Sequence, residues 1–495
     1  MKQEIGLLVL FLFVFLYDTF MPKRALGCIG RVTCLLFGLF TLYGFCPSVI
    51  GDGVVDGFSG MYETSPAIVA IKNILNVGVL IVLIQSLKWT ASEHQVIRRG
   101  EFYELLLITL FGMYLMMSGR HFLVFIIGLE SASLPLAAMV AFNKHRYESH
   151  EAAAKYIMTA VFSSAVLLMG LSFVYGLTGS LYFGKIASAM TVASSVNVVM
   201  LVVAIAFVMS GVGFKLSLVP FHLWTADVYQ GAPTSVTSYL SVISKGSAAF
   251  AFLVILWQVF GTVYSLAWEW MLYALIILTI TVGNLFAIRQ KNLKRFLAFS
   301  SISQAGYIML GIIGDNAMGE AALMFYVLVY IFSNLAAFGV IGAIENNCGK
   351  VSMDDYNGLY KTNPRLAVTM MLAMFSLAGI PPFAGFFSKF FIFTSAINQG
   401  SIAIYVLVLI ALINTIISLY YYLLVVKAMF IKDVDEMTVA SFRSAFSERL
   451  GMWICVAGIL GLGLVSWFYD SLLCVVGLSV SYTHLRAHET VLDLV

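Results

Sequence analysis

Charge is what this sequence has least of. Of its 495 residues, 11% are Asp, Glu, Lys or Arg, while 61% are hydrophobic. That balance excludes a soluble domain of this size, in which about a quarter of the residues are usually charged. The six cysteines, Cys28, Cys34, Cys46, Cys348, Cys455 and Cys474, form no CxxC pair and lie mostly within or beside apolar runs. They read as small hydrophobes, with neither a disulfide frame nor an iron–sulfur site expected. No nucleotide or redox motif is evident, so the chain is expected to hold no cofactor and no metal. The basic residues sit in short loops and not on one face, which argues against nucleic acid as a partner.

What is present is apolar runs of about 20 residues, repeated along the chain, the mark of an all-α polytopic membrane protein. Fourteen spans are predicted, over 5–20, 30–50, 66–87, 101–118, 121–142, 152–177, 196–226, 234–260, 268–288, 296–314, 318–344, 365–398, 402–430 and 450–477. They make one transmembrane domain over 1–478, with no soluble domain in the connections near 47–65, 178–195, 345–364 and 431–449. The first run has no small-residue cleavage site after it and reads as a span. Loops on the side reached after span 1 hold 19 of the 28 Lys and Arg residues. The positive-inside bias therefore places that side in the cytoplasm and both termini outside. The tail 479–495 is polar and unlike the rest; it reads as a non-native addition. Its His484 and His488 have ligand-like spacing but are poor evidence for a metal.

Within the spans stand a few charges. A charged side chain at the bilayer centre costs at least ~2.5–3.5 kcal/mol on insertion scales, so one that persists usually faces a protein interior and has a task. Glu130 is read as a buried acid about nine residues into span 5, roughly 14 Å at the helical rise. The plainer alternative is a carboxylate that only fixes packing. Lys215, in GVGFKLSLVPFHLWTADVYQGAPT, follows Gly211 and Gly213 and precedes Pro220. Lys389, in LAGIPPFAGFFSKFFIF, follows Gly379, Pro381, Pro382 and Gly385. Both segments predict helices broken near the midplane, which membranes tolerate where they line a cavity. Lys245, in span 8, is flanked by Ser244, Gly246, Ser247 and Ala248, which allow close helix approach and room for water. Spans 7 and 12 are five apart, an odd number, which implies an inverted repeat: spans 4–8 (101–260) against spans 9–13 (268–430).

Other polar residues rank lower. His222 reads as a helix-end residue or a proton relay. Lys294 reads as a cytoplasmic anchor or the guard of a proton exit. Lys72, in span 3, is shallow enough to snorkel outward, and Tyr420, Tyr421 and Tyr422 read as packing or interfacial aromatics.

Three segments, PFHLWTADVYQGAPTSVTSYLSVISK (220–245), NLKRFLAFSSISQAGYIMLG (292–311) and GIPPFAGFFSKFFIF (379–393), resemble the antiporter-like subunits of respiratory complex I. The similarity covers roughly 60–430. It implies a proton path in which Glu130 on span 5 pairs with Lys215 on span 7, Lys245 on span 8 continues and Lys389 on broken span 12 completes. It also implies a subunit of a proton-translocating NADH:quinone oxidoreductase in a bacterial inner membrane, with NADH, flavin, iron–sulfur clusters and quinone bound by partner subunits. The partners expected are a second antiporter-like subunit, small membrane subunits and the lipid bilayer. Lys389, where the M type typically carries glutamate, and a chain ending soon after span 14, without the long lateral helix of the L type, favour the N type. The alternatives are a subunit of a multisubunit cation/proton antiporter and a related ferredoxin- or hydrogenase-linked complex. A scaffold whose charges only fix packing is the bland reading.

Overall fold

The computed structural model describes residues 1–21, 27–51, 53–92, 98–192, 198–261, 265–314, 317–434, 438–465 and 467–477. The tail predicted to be non-native, with His484 and His488, lies outside the described residues.

Helices dominate. Among the described residues, twelve helices are long and apolar enough to cross a membrane, and shorter apolar helices at Ile29–Gly44, Pro364–Ala378, Ala384–Ile397 and Trp467–Gly477 supply the rest. The fourteen predicted spans are recovered. Spans 1 to 3 are Lys2–Phe20, Ile29–Gly44 and Pro66–Thr90. Spans 4 to 6 are Arg99–Ser118, Phe122–Val140 and Tyr147–Thr178. Span 7 is two helices, Val198–Leu216 and Leu223–Gly231, and span 8 runs over Thr234–Phe260. Spans 9 to 11 are Ser265–Ile288, Leu293–Ile313 and Ala317–Cys348. Span 12 is again two helices, Pro364–Ala378 and Ala384–Ile397, followed by span 13 at Ile402–Phe430. Span 14 begins as Phe446–Leu464. In each set of five, the fourth member is the broken one.

Backbone contacts repeat as well. A Cβ on Gly112 of span 4 would lie 2.5 Å from the Ala132 amide and 2.7 Å from the Gly128 carbonyl of span 5. In the second set, a Cβ on Gly283 of span 9 would lie 2.8 Å from the Ser303 amide of span 10. Only glycine lets these pairs of helices meet backbone to backbone.

The connections carry more structure than apolar periodicity foretells. A hairpin pairs Val55–Gly57 with Tyr62–Thr64, and Arg120 donates its amide to Met61 (2.9 Å) while Phe122 donates to Leu181 (3.0 Å). The connection after span 6 contains a further helix, Phe183–Val192. On the opposite face, Leu293 donates to Val351 and Met353 to Lys291 (2.9 and 2.7 Å). Span 10 lies at the centre: the whole of its candidate crossing segment is buried.

Candidate functional site

The two helix breaks follow from proline chemistry. In a helix, each carbonyl accepts from the amide four residues on, and proline has no amide proton to give. Pro381 and Pro382 stand four residues beyond Leu377 and Ala378. The carbonyls of Leu377 and Ala378 are therefore free, and Lys389 Nζ donates to both, at 3.0 and 3.1 Å. The cation thus sits at the carboxyl end of a half-helix, where the backbone dipole favours it. Gly385 makes the fold-back possible, since a Cβ there would lie 1.6 Å from the Ser376 carbonyl oxygen. Span 7 repeats the device: Pro220 stands four residues beyond Leu216. Lys215, in the last turn before the break, donates to Ser133 Oγ of span 5 (2.7 Å) and Tyr156 OH of span 6 (3.3 Å). Trp224 Nε1, past the break, donates back to the Phe214 carbonyl (3.2 Å).

Lys245 sits just after a π-helical turn, Leu240–Ser244, a departure from α-geometry frequent at functional sites. Its Nζ donates to Ser301 Oγ of span 10 (2.5 Å). All three lysines are buried, at 4%, 2% and 5% exposure for Lys215, Lys245 and Lys389. Two lie over tyrosine faces, Lys245 over Tyr229 (5.5 Å) and Lys389 over Tyr307 (5.1 Å). No carboxylate among the described residues lies within 4.0 Å of any of the three.

Span 10 joins the second and third lysines. Ser301 meets Lys245, and Tyr229 OH lies 3.4 Å from the same hydroxyl. One residue back, Ser300 Oγ is 2.5 Å from Tyr422 OH. Gln304 Nε2 donates to Tyr422 OH (3.1 Å) and to the Leu377 carbonyl (3.3 Å) that also accepts from Lys389. Tyr326 OH donates to Gln304 Oε1. Tyr421 and Tyr422 are thus buried and bonded, Tyr421 OH to Asn284 Oδ1 at 2.9 Å, while Tyr420 is 57% exposed. The packing half of the reading holds for Tyr421 and Tyr422, which pack on Phe296 and on each other, and their hydroxyls bond as well. A run of three tyrosines on a helix points in three directions, and sequence does not say which faces the core.

Three expectations change. Glu130 is half-buried, not buried, and forms no ion pair with Lys215 within 4.0 Å. The next turn of its helix sends Ser133 to the lysine in its place. Lys72 does not snorkel: it is 1% exposed and donates to Glu4 of span 1 and to Ser118 Oγ (2.6 Å). The acid that holds it is 68 residues away, beyond the reach of local pattern. Lys294 is 1% exposed, not an anchor in solvent. It donates to the Ala232 carbonyl (2.8 Å) and lies 3.5 Å from Glu345, which Arg146 and Thr234 also engage. Arg146, Thr234 and Glu345 edge a cavity of about 250 Å³ on the basic-loop face, with Ser238 on its wall. Farther in, Ser241 Oγ accepts from Asn334 Nδ2 (2.9 Å). His222 is half-buried, and its Nδ1 meets no partner among the described residues.

Two broken helices in opposed five-span sets, each holding a buried lysine, define an antiporter-type membrane subunit. Residues 119–418 match the family described as NADH:quinone oxidoreductase/Mrp antiporter, transmembrane, and the chain belongs to that family. It is 50% identical over 473 residues to NADH-quinone oxidoreductase subunit N of Phocaeicola vulgatus, covering 95% of this chain and 97% of that one. A chain of respiratory complex I from Thermus thermophilus, solved with bound aureothin, superposes with a TM-score of 0.77 at 30% identity, over 93% of this chain and 97% of that one. A chain of the Mrp complex from Dietzia sp. shares the fold, with a TM-score of 0.82 at 21% identity over 98% and 97%.

Proposed function

We propose that this chain is the N-type subunit in the membrane arm of a bacterial NADH–quinone oxidoreductase, and that it moves protons through Glu130, Lys215, Lys245 and Lys389. The observation that carries the relay is that span 10 gives Ser301 to Lys245 and, from the next residue, links Ser300, Tyr422 and Gln304 to the Leu377 carbonyl that Lys389 also meets. Redox energy arrives from partner subunits, which hold the nicotinamide, flavin, iron–sulfur and quinone chemistry. It acts by changing the charge or position of groups near Glu130. Glu130 stabilises the protonated Lys215 through space; when that attraction weakens, Lys215 passes its proton towards Lys245. Water completes the steps between hydroxyls that do not touch, such as Ser301 and Ser300.

The cavity at Arg146, Thr234, Ser238 and Glu345 is the inlet we favour, because its polar wall continues to Ser241, one turn before Lys245. Lys294 then holds the cavity's carboxylate in place. His222, beside the break in span 7, is a second member of the path. The basic loops face the cytoplasm, and both termini face outward across the inner membrane. The 50% identity to a subunit N favours this reading over a cation/proton antiporter working without electron transfer.

The test is proton pumping by the assembled complex carrying Lys215→Ala or Glu130→Ala. Both are expected to lower the protons moved per electron. Wild-type pumping in both would sink the relay.

A further inference from the structure

On the basic-loop face, two arginines stand without the acid that their neighbours have. Lys361 is held by Asp433 (2.9 Å) and Lys432 by Asp354 (3.9 Å). Arg365 and Arg449 form no ion pair among the described residues, and Arg449 Nε is buried without a hydrogen-bond partner. Their place in the helices makes this costly. Arg365 is the second residue of the helix Pro364–Ala378, and Arg449 lies in the first turn of Phe446–Leu464. Helix amino ends already carry partial positive charge, so cations there add repulsion unless an anion is present. The acid in that first turn, Glu448, is committed elsewhere: it takes the Ala445 amide (2.9 Å) and lies 3.5 Å from Lys88.

Both arginines line one groove of about 320 Å³ between spans 12 and 14. Its polar end holds Arg365, Arg449 and Ser444; its walls include Leu372, Trp453 and Val456. Leu372 and Val456 are each seven residues past an arginine, about 10 Å deeper along a helix. Trp453, 68% exposed, stands between the two levels, as tryptophans do at a membrane–water interface. A phosphate-sized cationic end at the membrane surface, continued by an apolar slot at acyl depth, matches one kind of molecule. Guanidinium groups pair with phosphate oxygens in a fork that lysine cannot offer.

We infer that this groove binds an anionic phospholipid of the basic-face leaflet, with its phosphate between Arg365 and Arg449 and an acyl chain against Leu372 and Val456. The inference does not depend on the proton relay and stands if that relay fails.

The probe is a photoreactive phosphatidylglycerol in vesicles of phosphatidylglycerol and phosphatidylcholine that contain the assembled complex. Labelling is expected on peptides spanning 364–372 and 449–456. The double variant R365Q/R449Q is expected to lower it about thirtyfold, from the ordinary attraction of two surface arginines for anionic lipid. The exposed-pair variant K361Q is expected to leave it unchanged. Equal labelling of wild type and double variant overturns the site. So does equal labelling by photoreactive phosphatidylcholine, or a cross-link from the groove to a neighbouring polypeptide, which would show that protein covers it. Should the double variant fail to assemble, competition on the wild type decides: unlabelled phosphatidylglycerol displaces the probe and phosphatidylcholine does not, and equal displacement by both overturns the site.

Discussion

Tyr422→Phe isolates one hydroxyl from everything else in the proposed relay. The ring stays, and with it the packing between spans 10, 12 and 13. What goes is the oxygen 2.5 Å from Ser300 Oγ and 3.1 Å from Gln304 Nε2. Gln304 keeps the Leu377 carbonyl at 3.3 Å, so the stability cost is that of one partly unmet buried group, about 1–3 kcal/mol, too little to prevent assembly of a chain so extensively packed. The kinetic consequence is larger in relative terms. If a proton crosses this hydroxyl, losing about 1–2 kcal/mol of hydrogen bonding from the transfer state slows that step by about 5- to 30-fold. The assay is acid release into the lumen of vesicles per NADH oxidised, with quinone reduction followed in parallel. Tyr420→Phe is the matched control: the same chemical change two residues earlier, on a side chain 57% exposed. Tyr422→Phe is expected to lower the ratio of protons to electrons, and Tyr420→Phe to leave it at the wild-type value. Equal ratios for the two variants, in complexes assembled to the same level, would refute a route from Lys245 to Lys389 across span 10.

Two further predictions concern the frame around the relay. Lys72→Met leaves buried Glu4 with only the Met1 ammonium at 3.2 Å, and losing one partner of a buried pair costs at most about 3–5 kcal/mol. Thermal unfolding of the purified complex should show the loss, and the double variant Glu4→Gln/Lys72→Met should recover most of it; a double variant as unstable as the single one would contradict the pairing. Gly128→Ala puts a methyl group 2.6 Å from the Met116 amide and 2.7 Å from the Gly112 carbonyl, so spans 4 and 5 must separate. Overpacking of this kind costs about 1–3 kcal/mol, and it should appear as a lower yield of assembled complex, whereas Gly184→Ala, which meets nothing within 4 Å, should assemble normally.

The spans and the misplaced lysines were legible because hydropathy is a local signal. A run of 20 apolar residues declares itself, and so does a lysine inside it. The helix breaks were legible for the same reason, since Pro220, Pro381 and Pro382 act on carbonyls only four residues away. The connections between the charges were not legible. Ser300, Ser301, Gln304 and Tyr422 are uncharged, common in membrane helices and far apart in sequence from what they touch. Their signal lies in which face of span 10 they share, and a helix buried on every side shows no amphipathic stripe by which to read its faces. Glu4 and Lys72 were separately visible, but their pairing needed the packing of span 1 on span 3.

That pairing also separates two kinds of buried lysine. Lys72 is fixed by a full negative charge, and a carboxylate partner favours the ammonium strongly over the amine. Such a pair is suited to holding helices together. Lys389 meets two backbone carbonyls, Lys245 a serine hydroxyl and Lys215 a serine and a tyrosine. An ammonium offers three donors and a neutral amine two, and two carbonyls or a pair of hydroxyls can meet either form without leaving a buried charge of opposite sign behind. A group that must bind and release a proton in every cycle needs partners of this neutral kind. The prolines of span 12 thus act on chemistry as well as on shape: by withholding amides from the Leu377 and Ala378 carbonyls, they leave the neutral acceptors that Lys389 meets.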